Sequence, residues 1–575
     1  MSAPAADPVE VSPRLRDDTT RFLCGAAHRD EEFADSAIRE YLVESTRSIP
    51  RSPGVNAGAV LREAVAARTR RKVRDAVLLV LAVVLLATGT GFQLGLWFLG
   101  AAVAAAVVAV ISGQRIRPGK QPKAVAPYRR VPLALGGVAG AIALFFVMYK
   151  VIEELDRPSA SYCRRYPTAC EVQSDGELAV MVVVIALIFA VLLTDRVLVW
   201  LLVTKSFRRR GFRASRGPEE LWRNEWTLRR LGNSGYDSAL RLFPAEDDEP
   251  APADQAQVTV YHGYRPFVGS GTMFEPWSMA LPLKPTEEHE DMPRPGFELP
   301  ELYDRLTAEL LKTGRSPSLS PGHRLKDLTT GDRVVISAVE LVDHIDDVEA
   351  RIVLPNKDDA PRPTVDRSVV DGLITRPMEW MRYFRSFQVE TWDRDVVVSA
   401  YLTFGLDEEM LYVEWTPCIL HPIEARHRQI DVLPEQSVRP LLEALLDLLT
   451  FPASLPRRFA TAVNWLVPVH QAEGTYIAER YGATTSLREL ASERQVDNYF
   501  QLTDIERYVK VLESRLLRTL GEFLESKGIS VTEFMEQAMQ VTNNNVHITG
   551  PVISSNVAST GRARAGNVKT GREKG

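Results

Sequence analysis

His421, Glu424 and His427 bring two imidazoles and a carboxylate together in the order H-x-x-E-x-x-H, the donor types that hold a zinc ion. A zinc-peptidase helix needs its histidines four apart on one face, whereas positions six apart diverge by about 120° on a 3.6-residue helix. Pro422 also favours a loop, so the triad reads as structural. Asp343, His344, Asp346 and Asp347, and separately Glu287, Glu288, His289, Glu290 and Asp291, offer oxygen ligands. Neither group has the alternating spacing of a calcium loop, and both read as solvated surface. The stretch His262-Gly-Tyr-Arg-Pro-Phe-Val-Gly-Ser-Gly-Thr272 is rich in glycine but lacks the Gly-Lys-Ser/Thr ending of a nucleotide-binding loop and the strand-to-helix setting of a dinucleotide fold. It reads as a structural loop whose glycines and aromatics could shape recognition. No catalytic residue, metal ligand or cofactor signature emerges, which leans the reading away from an enzyme.

Of the four cysteines, Cys24 and Cys418 stand alone, and only Cys163 and Cys170 are near neighbours. In an oxidising exterior these two can pair across the Arg164–Ala169 segment. Their chemistry therefore depends on which side of a membrane they face.

From Ala76 to Ser112 no side chain is charged. At about 1.5 Å per residue that run is too long for one crossing of a ~30 Å hydrocarbon core. Thr88, Gly89, Thr90 and Gly91 at its middle supply a turn, so the run reads as two spans, 73–90 and 94–112. Further apolar runs give spans at 131–150 and 178–204. Lys and Arg crowd the flanks that would be inside: Arg68, Arg70, Arg71, Lys72 and Arg74; Arg115 to Arg130; and Lys205 to Arg216. The 152–177 loop is acidic and reads as external, with both termini cytoplasmic. Asp195 and Arg196 sit close to the inner boundary of the last span, where an interfacial pair is the economical reading.

The expected fold class is thus an α-helical membrane protein with four transmembrane helices and a cytoplasmic α+β domain containing an antiparallel meander. The organisation divides into a helical region 1–72, the membrane block 73–204, a juxtamembrane helix and linker 205–257, the α+β domain 258–540 and a basic tail 541–575. Alternation at Tyr383, Phe387 and Val389, then Val396 to Phe404, then Leu411, Val413 and Trp415 marks three strands. Ile505, Val509, Leu512, Leu516, Leu520 and Phe523 form one stripe of a long helix. A strand is expected over Arg333–Val342.

Arg21-Phe-Leu-Cys-Gly25, the apolar spans, Tyr261-His-Gly-Tyr-Arg-Pro-Phe-Val-Gly269 and the Asn/Gly tail together resemble uncharacterised multi-pass membrane proteins of high-GC actinobacteria. That resemblance implies no activity and carries no functional residue. The expected function is a membrane-tethered cytoplasmic binding, sensing or scaffold protein located in the cell membrane. The alternatives are a membrane-bound enzyme with a dispersed site in 258–540, or an oligomeric pore. Expected partners are the lipid bilayer, a second copy through the small-residue faces Gly100/Ala104 and Gly136/Gly140, and a cytoplasmic protein or small molecule. A net charge of -5 and a pI near 6.1 argue against nucleic acid. No cofactor is expected.

Overall fold

Apolar side chains at every second position of the C-terminal half settle into strands, and the strands pair into one mixed sheet. The computed structural model describes residues 18–44, 46–88, 174–209, 212, 254–286, 296–315, 325, 328–392, 394–434, 437–463, 476–493, 496 and 498–544. In chain order, helices α1 (Asp18–Arg29), α2 (Glu31–Ile38) and α3 (Ala57–Thr88) precede α4 (Ser174–Leu201). Then come β1 (Gln255–Tyr261), β2 (Thr272–Met273), β3 (Trp277–Pro282), α5 (Leu299–Arg315), β4 (Thr329–Ser337), α6 (Ala338–Asp343), α7 (Val348–Val353), β5 (Thr364–Asp366) and α8 (Arg367–Thr375). The meander β6 (Met381–Thr391), β7 (Val396–Leu406) and β8 (Met410–Leu420) follows. Last are α9 (Ala425–Arg428), α10 (Arg439–Leu449), α11 (Phe451–Val463), α12 (Leu487–Leu490), α13 (Tyr499–Ser526) and α14 (Thr532–Asn544).

The sheet runs β2-β8-β7-β6-β4-β1-β5, with β3 also pairing with β8. Only β1 and β4 are parallel; the other pairings are antiparallel. Because strand side chains alternate between faces, one face carries Val258, Val260, Val334, Ile336, Phe387, Val398, Leu402, Val413 and Trp415. That face packs on α5 and on the Ile505–Phe523 stripe of α13. Trp415 and Phe387 are fully buried there, and each side chain so buried stabilises the fold by roughly 1.5–3 kcal/mol. The opposite face is mixed, with Phe384, Tyr401 and Cys418 beside buried Thr259, Ser386, Gln388 and Ser399. β4 ends at Ser337 and the chain turns into α6, so the strand expected to reach Val342 stops five residues short of it.

The expectation of an α-helical membrane protein with four transmembrane helices is corrected by this architecture. The described protein is mixed α/β around an eight-stranded sheet, and among the described residues one helical stretch, Val180–Ser206, is long and apolar enough to cross a bilayer. The reason lies in α3. The run expected to begin a span at residue 73 is the distal part of one 32-residue helix that starts at Ala57. Its first half, including Val60, Leu61, Ala64 and Val65, is buried against α1, α2 and the C-terminal segments around Ile430 and Leu487. An apolar run read by composition does not reveal such continuity. The spans expected at 94–112 and 131–150 lie outside the described residues, as do Cys163, Cys170, the 287–291 acidic cluster, most of 205–257 and the tail beyond 544.

Candidate functional site

Two helices carry exposed apolar side chains that no described residue covers. On α4, Val184, Ile188 and Leu192 recur at helical spacing and pack with Leu78, Ala82 and Leu85 of α3 and with Ala444 and Phe451 of α10 and α11. The other sides of both helices face out: Val77, Val80, Val83 and Leu86 on α3, and Val180, Val182, Val183 and Leu187 on α4 are all exposed. The helices run antiparallel, since Arg70 and Arg74 meet Asp195 while the first turns of α3 share a core with Val203 and Phe207 just past α4. A band of this extent is far beyond the scattered apolar residues of an ordinary surface.

The band ends on a charged foot. Asp195 is buried, accepts from Arg74 Nη1 at 2.9 Å and forms an ion pair with Arg70, whose Nε lies 2.9 Å from Oδ1. Its neighbour Arg196 turns about 100° away around the helix and reaches Asp447 Oδ2 at 2.6 Å and Glu443 at 3.4 Å on α10. Arg74 also holds Asp75 at 2.8 Å, and Asp75 takes Arg458 of α11 at 2.7 Å. Asp195 and Arg196 are therefore partners of different helices rather than of each other. The sequence read the arginines of α3 as flanking charge. In the fold they are consumed internally: Arg68 pairs with Asp35, and Arg71 donates to the Ala27 carbonyl at 2.7 Å. A sequence signal existed, since Arg70 and Arg74 share a helix face, but nothing in the chain order pointed to Asp195.

A histidine joins the foot to the N-terminal core. His28 is buried, with Nε2 2.9 Å from Glu63 Oε2 and Nδ1 2.9 Å from Arg70 Nη1. A guanidinium only donates, so Nδ1 accepts and the ring proton is assigned to Nε2, facing Glu63. Burial pulls the His28 pKa below 6.5; Glu63 opposes this and the charges of Arg70 and Arg71 add to it. The unfolded chain takes up a proton near pH 6.5, where the folded ring still resists it. This contribution to stability is therefore complete above that pH and declines as pH falls below it. Melting of the detergent-solubilised chain at pH 7.5 and about pH 5.5 should show the loss, and His28→Gln should remove His28's share. An unchanged pH slope in that variant would refute the assignment.

Buried arginines fasten these helices to the sheet. Arg21 grips Asp431 with two bonds of 2.7 Å and donates to the Phe207 carbonyl at 2.9 Å. Arg488 donates to the carbonyls of Pro53 and Asp395, each at 2.9 Å. Glu489 accepts from the backbone N–H groups of Gly269 at 3.0 Å, Gly271 at 2.8 Å and Ser486 at 2.8 Å. Burial still raises its carboxyl pKa against those bonds. The glycine-rich loop is held by this carboxylate, and Gly269 and Gly271 adopt φ of 94° and 84°. It presents Phe267, which stacks on Tyr401 at 3.9 Å between centroids.

The remaining sequence candidates do not converge. His421 lies 3.4 Å from Thr272 Oγ1, His427 packs against the Phe33 ring, and Glu424 pairs with Arg426. Among the described residues no group of three or more His, Cys, Asp or Glu side chains has the geometry to hold a metal. His344 binds Asp347 at 2.8 Å, and Asp346 binds Lys357 at 2.5 Å at the surface. Cys24 and Cys418 are buried free thiols whose pKa burial raises, which disfavours the nucleophilic thiolate.

Comparison with known proteins adds one finding. No curated protein and no solved structure matches the chain. The matched region begins just before β3, takes in β3 to β8 and all helices from α5 onward, and leaves out β1, β2 and the apolar helix pair. Over that region, residues 276–558, the chain matches the family model described as the AbeC-like domain, and it is to this family that its C-terminal half is similar.

Proposed function

We propose that the chain is a membrane-tethered binding or sensing protein of the cell membrane. The part of the Val180–Ser206 helix before Asp195, with the outer half of α3 beside it, enters the bilayer, and the sheet domain with its N-terminal helices forms a binding platform at the inner surface. The observation that carries this reading is the band of exposed Val and Leu on both helices, ending at a foot of ion pairs. In water such a band is costly at about 25 cal/mol per Å²; in hydrocarbon it is matched, and the foot then falls at the headgroups. Lys205 and Arg208 beyond the foot suit the cytoplasmic side. Exposed Leu441, Leu446, Phe459 and Val463 on α10 and α11 extend the apolar surface around the foot, as interfacial helices do.

Flotation with liposomes after detergent removal tests it. The wild-type chain is expected to float, and Val183→Lys/Leu187→Lys to stay at the bottom with unchanged circular dichroism, since each cation at mid-helix costs about 2.5–3.5 kcal/mol in a bilayer. A wild-type chain that remains at the bottom as a soluble oligomer would show that copies of itself, not lipid, cover the band.

A further inference from the structure

The polar face of the sheet holds two arginines that have no hydrogen-bond or ion-pair partner among the described residues. Arg333 lies on β4, opposite Gln257 of β1 and Phe384 of β6. Arg51 comes from the segment joining the N-terminal helices and is held over this face, because its backbone runs against Gly269 so closely that a Cβ there would meet the Arg51 carbonyl oxygen at 2.1 Å. The two guanidinium groups are near enough for each to act on Tyr401, and Arg51 acts on Arg333 as a like charge. Among the described residues neither guanidinium has a hydrogen-bond or ion-pair partner, and Arg51 Nε is fully covered.

The described residues around them do not supply the missing negative charge. The carboxylates nearest them are committed elsewhere, Glu489 to the glycine loop and Glu390 to Arg394 and Gln388, while Asp332, next to Arg333 in sequence, points to the other face of the sheet, where it takes Arg385. Gln257 Oε1 is buried and unpartnered. Arg333 is enclosed by protein yet keeps part of its surface open to solvent. Its pKa falls to about 10 through burial, with Tyr401 opposing and the like charge of Arg51 adding. Elsewhere in this protein several buried arginines meet a carboxylate, Arg21 at Asp431, Arg70 and Arg74 at Asp195 and Arg458 at Asp75, and buried Arg71 and Arg488 at least donate to backbone carbonyls. An uncompensated buried charge costs several kcal/mol, and planar guanidinium forks are the side chains that best match tetrahedral oxyanions.

We propose that Arg51 and Arg333 form a binding site for a phosphoryl dianion, with the Phe267–Tyr401 stack as its wall and two guanidinium charges matching the two charges of a phosphate monoester. It deepens the reading of the chain as a binding or sensing protein by naming the ligand class, and it is tested in micelles, so it can fail while the lipid reading stands, or the reverse. The basic groove along α13, with Arg507, Lys510, Arg515 and Arg518, is the competing locus.

The experiment uses the full chain in detergent micelles at low ionic strength, titrated with inorganic phosphate and followed by thermal shift and calorimetry. Phosphate should raise the melting temperature, acetate should not, and Arg51→Gln and Arg333→Gln should each weaken phosphate at least about tenfold while Arg515→Gln leaves it unchanged. Without phosphate, Arg333→Gln should melt no lower than wild type, because it removes an unpaired charge; an arginine kept for structure would lose stability instead. Short-chain phosphatidic acid in the same micelles separates the two sources of this chemistry: a soluble ligand saturates the shift with phosphate alone, a headgroup ligand shifts it further, and both require Arg333. Absence of a phosphate shift, or a shift that survives in both arginine variants, overturns the proposal.

Discussion

Asparagine in place of Asp195 is expected to lower the unfolding free energy of the chain by about 3–5 kcal/mol. The carboxylate is the shared ion-pair partner of Arg70 and Arg74, and its side chain keeps only 9% of its surface exposed. An amide of the same shape fills the space but leaves two guanidinium groups facing a neutral oxygen in a largely dry setting. The like charges of Arg70 and Arg74 then act on each other with only Asp75, at Arg74, to offset them, and Arg70 is also the donor that fixes His28. Denaturant titration in micelles, following helix signal, reads the effect. Combining Asp195→Asn with Arg70→Gln should recover part of the loss, since it removes one of the stranded cations. A loss under about 1 kcal/mol would mean that solvent reaches the foot and that the pairs are of the weak surface kind.

Alanine at Gly271 is expected to be at least as damaging, at about 4 kcal/mol or more, with poor recovery of folded protein. Two independent costs coincide there. The backbone has a φ of 84°, which L side chains rarely adopt, and an added Cβ would lie 2.1 Å from the Ile419 carbonyl oxygen and 2.7 Å from Leu420 Cα. Both obstacles are backbone, so no rotamer change relieves them; β2 must part from β8 and the Glu489 contact to the Gly271 N–H must break. Gly263 separates the two costs. Its φ is 97° but nothing lies within 4 Å of an added Cβ, so Gly263→Ala should lose only the conformational part, about 1–2 kcal/mol. Equal melting temperatures for the two variants would show that the sheet edge yields to the methyl group.

Local pattern was readable in this sequence; long-range pairing was not. The alternation at Val396, Val398, Ala400, Leu402 and Phe404 falls on β7, and the six-residue stripe from Ile505 to Phe523 is the buried face of α13. Both follow from the period of one element. The parallel pairing of β1 with β4 has no such signature, because it joins segments about seventy residues apart. The apolar runs misled for a related reason: hydropathy reports what a segment excludes, not where its helix begins, and the buried start of α3 at Ala57 contains Arg62, Glu63 and Arg68. Likewise the arginines of that helix, read as a membrane flank, are spent on Asp35, Asp195 and the Ala27 carbonyl. Arg51 and Arg333 carried no motif, being 282 positions apart; only the geometry of the sheet makes them neighbours.

The ion pairs that grip α3 lie at residues 70 to 75, close to the midpoint of a helix that runs without a break from Ala57 to Thr88. At 1.5 Å per residue such a rod is about 48 Å long, and a rod clamped at its centre is a lever on a fulcrum. Its inner arm, at Val60, Leu61 and Ala64, shares its core with Leu487 and Ala491. Those two residues flank Arg488 and Glu489, the pair that holds Pro53 and the glycine loop. One unbroken helix thus joins the apolar arm to the rim of the polar sheet face.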